Sequence, residues 1–328
     1  MSRIGVIGAG AWGTTLAILL SENGHQVTLW AFEKELVPEM NKMRENRRFL
    51  PGFPLAETIE ITGEAAKIDG AEIVFLAVPT QFLRRTARQF SKVIGREAII
   101  VAASKGIEEG SLKLPLEIIG EELNNKNLCV LSGPNLSAEI ARGLPAATVA
   151  AAQDRATAGR VQKTLMLERF RVYTNTDVVG LQLGGALKNV IAIAAGVADG
   201  LNLGDNAKAG LLIRGLAEIT RLGMALGAKA ETFAGLSGMG DLIATCASKL
   251  SRNHFVGENI ARGRKLPDIL KEMRDVAEGV PTAAAARELG KKLKVDLPIT
   301  EEVYLVLYES KDPYRAISDL MTRTPTSE

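Results

Sequence analysis

The chain predicts an α/β protein with a doubly wound parallel sheet in its first half and an all-helical second domain. Three observations carry this reading. A glycine-rich turn joins an apolar strand to an apolar helix at the N-terminus. Short, continuously apolar runs then alternate with helical stretches, the pattern of a parallel sheet covered on both faces. After about residue 175 strand-like runs become rare and helical periodicity takes over.

Taken in order, residues 3–7 form the first strand, Gly8-Ala9-Gly10-Ala11-Trp12-Gly13 the turn, and residues 14–20 the helix. Gly8 permits the tight turn, Gly10 lets backbone approach a pyrophosphate, and Gly13 lets the helix pack on the strand. Unpaired N–H groups at the helix start face the anion. A G-x-G-x-x-G between strand and helix is a dinucleotide signature, so the domain is Rossmann-like. Gly24 stops the helix before a second strand at 26–30. Further strands are expected at 73–78, 98–102 and 128–131, with helices at 81–93 and 112–123 between them. Runs at 146–152 and 170–173 add strands beyond the nucleotide core. Helices are expected at 179–198, 207–226, 229–233, 251–262, 266–276, 282–293 and 300–307, and a loose tail at 325–328. The expected boundary puts a dinucleotide-binding domain at 1–178 and a helical substrate domain at 179–328. The two are expected to abut along a cleft.

Length and composition agree with this. The 328 residues suffice for two domains, and 46% hydrophobic with 24% charged residues is ordinary for a soluble globular protein. A net charge of +2 without a long basic block argues against a nucleic-acid partner. Cys129 lies in an apolar strand and reads as a buried thiol, and Cys246 as part of a polar loop or helix end. So few cysteines suit a reducing cytosol, and no signal peptide is expected. Residues 181–201 are long and apolar enough to span a bilayer. Lys188 and Asn189 at its centre instead mark a helix buried in protein, with no membrane span.

The chemistry centres on Lys188. Its neighbours Ala186, Leu187, Val190, Ile191, Ala192 and Ile193 are apolar, which places Lys188 and Asn189 in or beside a dry cleft. Desolvation lowers a lysine pKa and suits it to exchange a proton near neutrality, as reduction of a ketone by a nicotinamide requires. Lys105, in Ala103-Ser104-Lys105-Gly106, follows a strand, where loops line the ligand crevice of an open sheet. There it can reach a phosphate and depress the pKa of Lys188. Gly133-Pro134-Asn135 is placed similarly. Asp241 and Thr245 are four apart, so one helical face presents both, and Asp241 can orient the lysine. Ser251-Arg252-Asn253 offers a guanidinium fork with hydroxyl and amide donors. His25 reads as an exposed turn residue and His254 as incidental. No metal-ligand spacing appears, so a metal-free mechanism is expected.

Together these motifs resemble the bacterial NAD(P)-dependent glycerol-3-phosphate dehydrogenases over nearly the whole chain. The likeness rests on the Gly8–Thr14 turn, Ser104-Lys105-Gly106, Ser132-Gly133-Pro134, the Leu183–Ile193 run around Lys188, Gly238-Met239-Gly240-Asp241, Ser251-Arg252-Asn253 and Glu278-Gly279. The resemblance implies reversible reduction of dihydroxyacetone phosphate to sn-glycerol 3-phosphate in the cytoplasm, feeding glycerophospholipid synthesis. It implies Lys188 as the proton donor and acceptor. It implies Lys105, Gly133, Asn135, Lys188, Asp241, Ser251, Arg252 and Asn253 as substrate contacts. For the cofactor it implies Ala11, Trp12, Phe32, Lys105, Ser137, Arg252, Val276 and Glu278, beside the glycines Gly8, Gly10 and Gly13. Asn135 departs from the family, which usually has Ser or Thr after Gly-Pro.

An NAD site wants an acid at the end of the second strand. Here Trp30-Ala31-Phe32 ends it, Glu33 comes late, and Lys34, Arg47 and Arg48 are candidates for a 2′-phosphate. The reading therefore leans to NADP over NAD, with NADH accepted. The expected partner is a small phosphate substrate, and a homodimer is left open. The rival enzyme is a β-hydroxyacid dehydrogenase, which tends to place Asn four residues after its lysine, where this chain has Ala192. A dinucleotide-sensing protein without turnover is the rival from outside enzymology, and Lys188 argues against it.

Overall fold

The computed structural model describes residues 1–273 and 275–324; the tail expected at 325–328 lies outside them. The chain forms two compact units. The first comprises Met1–Lys105 with Lys113–Gln182, the second Gly106–Leu112 with Leu183–Glu328.

The strands of the first unit are, in chain order, β1 (Arg3–Ile7), β2 (Gln26–Trp30), β3 (Glu45–Asn46), β4 (Leu50–Pro54), β5 (Ile59–Thr62), β6 (Ile73–Leu76), β7 (Ile99–Ala102), β8 (Leu128–Ser132), β9 (Ala146–Ala151) and β10 (Phe170–Asn175). An eight-stranded sheet has the order β10-β9-β8-β7-β6-β1-β2-β5, and β3 and β4 form a separate antiparallel pair. The chain doubles outward from β1, as a doubly wound sheet requires. Its central strands are apolar without interruption because helices cover them: Ile73, Val74, Phe75, Leu76, Ile100, Val101 and Ala102 are all buried.

The sheet is not parallel throughout. β9 runs antiparallel to β8, and β10 is parallel to β9, so both oppose the rest. The link between β8 and β9 carries only the five-residue helix Ser137–Ala141. The chain turns back beside β8. The edge strand β5 and the β3–β4 pair were not foreseen; Pro51-Gly52 and Pro54 disguise β4 as a turn. Four helices also went unread: Leu36–Met43, Ser137–Ala141, Arg155–Leu165 and Pro313–Met321.

The second unit is helical. The helix Val178–Gly200, most of which belongs to this unit, is long and apolar enough to cross a membrane, yet 83% of its most apolar window is buried within the protein. Gly196 and Gly257 explain how the helix Arg252–Ala261 meets it. A Cβ on Gly196 would sit 2.1 Å from the His254 carbonyl oxygen, and one on Gly257 would sit 1.9 Å from that of Ile193. The two backbones touch at these glycines, which fixes Arg252 and Asn253 near the turn carrying Lys188 and Asn189. Cys129 and Cys246 are both free and buried. Burial pushes each thiol up to about 12, so both are inert at neutral pH. Cys246 lies at the end of the helix Asp241–Ala247, one of the two places expected, with its side chain in the core.

Candidate active site

In the first unit the turn after β1 has the shape a pyrophosphate needs. Gly8 has φ +110°, and a Cβ there would lie 2.6 Å from the Ala77 carbonyl oxygen. A Cβ on Gly13 would lie 1.8 Å from the Gly8 carbonyl oxygen, so helix and turn are in backbone contact. Gly10 is the opposite case: a Cβ there would meet nothing within 4 Å. Its smallness serves no packing within the protein and leaves room above the N-terminus of the helix Ala11–Glu22. No side chain among the described residues caps that helix. The amides of its first turn, including Ala11 and Trp12, are therefore available to an anion. Thr15 Oγ1 on this helix donates to the Ser137 carbonyl at 3.3 Å, which ties the Ser137–Ala141 helix beside the turn. The residues present fit a dinucleotide.

The loops after β7 and β8 meet next to each other. Lys105 Nζ donates to the Gly133 carbonyl at 2.6 Å, and Ser104 Oγ to the Val78 carbonyl at 2.5 Å. Gly133 has φ +149° and packs on Thr148 of β9. Asn135 Nδ2 donates to Thr148 Oγ1 at 3.3 Å, while its Oδ1 is buried without a partner among the described residues. Phe32 stands exposed just past β2.

The second unit holds a charged cluster. Lys188, only 6% exposed, donates from Nζ to Thr245 Oγ1 at 2.6 Å and pairs with Asp241 Oδ1 at 3.0 Å. Thr245 Oγ1 donates in turn to Asp241 Oδ1 at 3.2 Å. Asp241 and Thr245 share one face of the helix Asp241–Ala247, as their spacing implied. That helix follows a π-helical turn, Leu236–Gly240, against which Lys188's helix packs closely at Gly184. The ammonium thus spends two of its donors on the protein. The third has no partner among the described residues and is left for a ligand oxygen.

Beside it, Asn253 Nδ2 donates to Asn189 Oδ1 at 2.8 Å, and Asn253 Oδ1 accepts the Gly279 amide at 2.9 Å. Asn253 thereby fixes the start of the helix Gly279–Leu293, with Glu278 as its N-cap residue. Ser251 Oγ caps the helix Arg252–Ala261 by accepting the His254 amide at 3.2 Å. Arg252 differs from its buried neighbours. Its side chain is 50% exposed and its ionic contact, Asp275 Oδ1, is distant at 4.0 Å. Val276 is also exposed.

Both histidines depart from the sequence reading. His25 is half-buried, and its Nδ1 accepts the Ser2 amide at 3.2 Å; burial lowers its pKa. His254 is buried, with Nε2 2.7 Å from Asp199 Oδ2, which also takes Lys208 Nζ at 2.6 Å. Burial opposes the ionisation of Asp199, but the hydrogen bonds from Lys208 and His254 outweigh it and hold the carboxyl below its usual value. Sequence reasoning placed Thr245 and Asn189 near the lysine without a role; these two turn out to be principal partners of the cluster.

Comparison with known proteins decides the family. The model of the NAD-dependent glycerol-3-phosphate dehydrogenase N-terminus matches residues 3–158, and that of the C-terminus matches residues 177–318. The chain belongs to the NAD-dependent glycerol-3-phosphate dehydrogenase family. A relative from Geobacter sp. (strain M21), glycerol-3-phosphate dehydrogenase [NAD(P)+], is 52% identical over 99% of this chain and 98% of its own. The crystal structure of glycerol-3-phosphate dehydrogenase from Coxiella burnetii superposes with a TM-score of 0.94 at 35% identity, covering 98% of this chain and 99% of that one. That of Saccharomyces cerevisiae gives 0.84 at 28% identity, with coverage of 98% and 99%. The open cradle at Gly10 agrees with membership of an NAD-dependent family.

Proposed function

We propose that the chain interconverts dihydroxyacetone phosphate and sn-glycerol 3-phosphate with NAD(P)H, and that Lys188 moves the proton. The carrying observation is the Lys188 ammonium, withdrawn from water, anchored by Asp241 and Thr245, with one N–H unspent. When bound, the reduced nicotinamide supplies hydride to the ketone carbon. Lys188 polarises the carbonyl oxygen and gives it a proton as negative charge develops there. In the reverse direction it takes the alcohol proton. Asp241 and Thr245 hold the amine in one orientation, so no rearrangement is needed at the moment of transfer.

Substrate recognition falls to cations and neutral donors. Arg252, half exposed and weakly paired, suits a phosphate dianion, and Lys105 adds a second cation. Gly133, Asn135, Ser251 and Asn253 supply shorter polar contacts. On the cofactor side, Gly8, Gly10, Ala11, Trp12 and Gly13 form the pyrophosphate cradle. Phe32, Ser137, Val276 and Glu278 complete the nucleotide contacts. The product is a glycerophospholipid precursor, which fits a cytosolic role. The test follows nicotinamide absorbance with dihydroxyacetone phosphate, using NADH and NADPH in parallel. Oxidation of at least one is expected, and its absence with both rejects the function.

A further inference from the structure

Two phenyl rings of the first unit face solvent together: Phe32, 57% exposed, and Phe82, 44% exposed on the helix Thr80–Phe90. The Arg85 guanidinium lies across both, 5.4 Å from the Phe32 ring centre and 5.6 Å from that of Phe82. The neighbouring arginines of this helix are neutralised, Arg84 by Glu121 and Glu122, Arg88 by Glu122. Arg85 has no carboxylate partner among the described residues. Aromatic faces orient a guanidinium without consuming its N–H donors. The result is a fixed, unneutralised cation at the surface.

Its position gives it a use. β2 and β6 flank β1, and the loops leaving them border the glycine turn. The Gly8 amide donates to the Trp30 carbonyl at 3.0 Å, and the Ala77 amide to that of Ile7 at 2.9 Å. In such a sheet the group just past the second strand reads the 2′ position of the adenosine ribose. A carboxylate there takes the hydroxyl, and an arginine nearby takes the 2′-phosphate. Ala31-Phe32 stand where the carboxylate would. One of the cations the sequence suggested, Arg47, is paired with Glu45 at 3.2 Å.

We propose that Arg85 takes the 2′-phosphate of NADPH, on a guanidinium held by Phe32 and Phe82, and so sets the preference between the two nicotinamide cofactors. This rests on the dinucleotide reading above. A planar guanidinium makes parallel hydrogen bonds to a phosphate that a hydroxyl cannot match.

The test measures equilibrium binding of 2′,5′-ADP and of 5′-AMP by calorimetry, two probes that differ only in the 2′-phosphate. Arg85→Ala weakens 2′,5′-ADP binding by roughly tenfold or more, the scale of a lost charged hydrogen bond, and leaves 5′-AMP within about twofold. Arg85→Lys recovers part of the loss. In the intact reaction kcat/KM for NADPH falls while that for NADH changes little. Unchanged 5′-AMP binding also shows that the variant's site is folded. The proposal fails if both probes weaken together, if neither does, or if Lys34→Ala carries the effect instead. Wild-type protein that binds both probes equally sinks Arg85's role alone and leaves the dinucleotide reading standing. Wild-type protein that binds neither probe sinks both.

Discussion

Lys188 Nζ lies 3.0 Å from Asp241 Oδ1, and Thr245 Oγ1 sits between them, accepting from the amine and donating to the carboxylate. Both charges are almost wholly withdrawn from water. Breaking such a pair by removing one partner costs about 3–5 kcal/mol, because the other charge is left buried and uncompensated. A buried pair is thus poor value for stability alone, which fits a role in proton transfer. Lys188→Ala is expected to lower kcat by at least about 10²-fold, with nucleotide affinity little changed. It also strands Asp241, so the double variant Lys188→Ala/Asp241→Asn separates the effects: it regains thermal stability but not turnover. Near-normal turnover in either variant rejects the role of Lys188.

Two glycines of the nucleotide turn make opposite predictions. A methyl group on Gly13 collides with the Gly8 carbonyl, whereas one on Gly10 meets only open space. Gly13→Ala is expected to lower the melting temperature markedly. Gly10→Val is expected to leave it nearly unchanged while weakening binding of NADH and NADPH. Thermal melts and cofactor titrations on the same two samples decide the matter. Equal destabilisation, or full cofactor affinity in Gly10→Val, contradicts the cradle.

Much of this was legible in the residues because local chemistry encoded it. β1 and β2 fall at the residues where apolar runs and flanking glycines put them. Lys188 announced itself as a charge in the apolar middle of a long helix, and Thr245 by its spacing from Asp241. What escaped was set by tertiary pairing. β5 is an edge strand defined by its register with β2, and the reversal of β9 is seen only in its antiparallel register with β8. Contacts between separate elements leave no periodic trace. His254 reaches Asp199 across 55 positions, and Arg85 on the helix Thr80–Phe90 reaches Phe32 in the loop after β2. Neither pairing has a spacing that a sequence pattern could reveal.

Asp154 ties stability to pH. It caps the helix Arg155–Leu165 by accepting from the Ala156 and Thr157 amides, at 3.1 and 2.9 Å, and from Thr157 Oγ1 at 2.8 Å. These bonds favour the ionised form and hold its carboxyl below the ordinary value of 3.8. A depressed carboxyl contributes stability above its unfolded value and loses it as pH falls through the folded one. Asp154→Ala is therefore expected to melt lower than wild type at neutral pH, with the gap narrowing once pH drops below 3.8. Melting temperatures of both proteins between acid and neutral pH check this; a gap independent of pH contradicts it.

Arg252 and Asn253 are adjacent in sequence and divided in task. Asn253 bridges Asn189 and the Gly279 amide from a buried position, whereas Arg252 is half exposed with only a distant carboxylate. Asn253→Ala leaves a buried backbone amide unpaired, which costs about 1–3 kcal/mol. Its principal effect is expected on the melting temperature, with turnover lost as Asn189 and Gly279 loosen. Arg252→Ala buries nothing and strands nothing. It is expected to melt like wild type and to raise KM for dihydroxyacetone phosphate, through the lost phosphate fork, more than it lowers kcat. An uncharged substrate analogue without phosphate should lose little on the same substitution. An unchanged KM for the phosphorylated substrate, or an equal loss for both substrates, removes Arg252 from phosphate recognition.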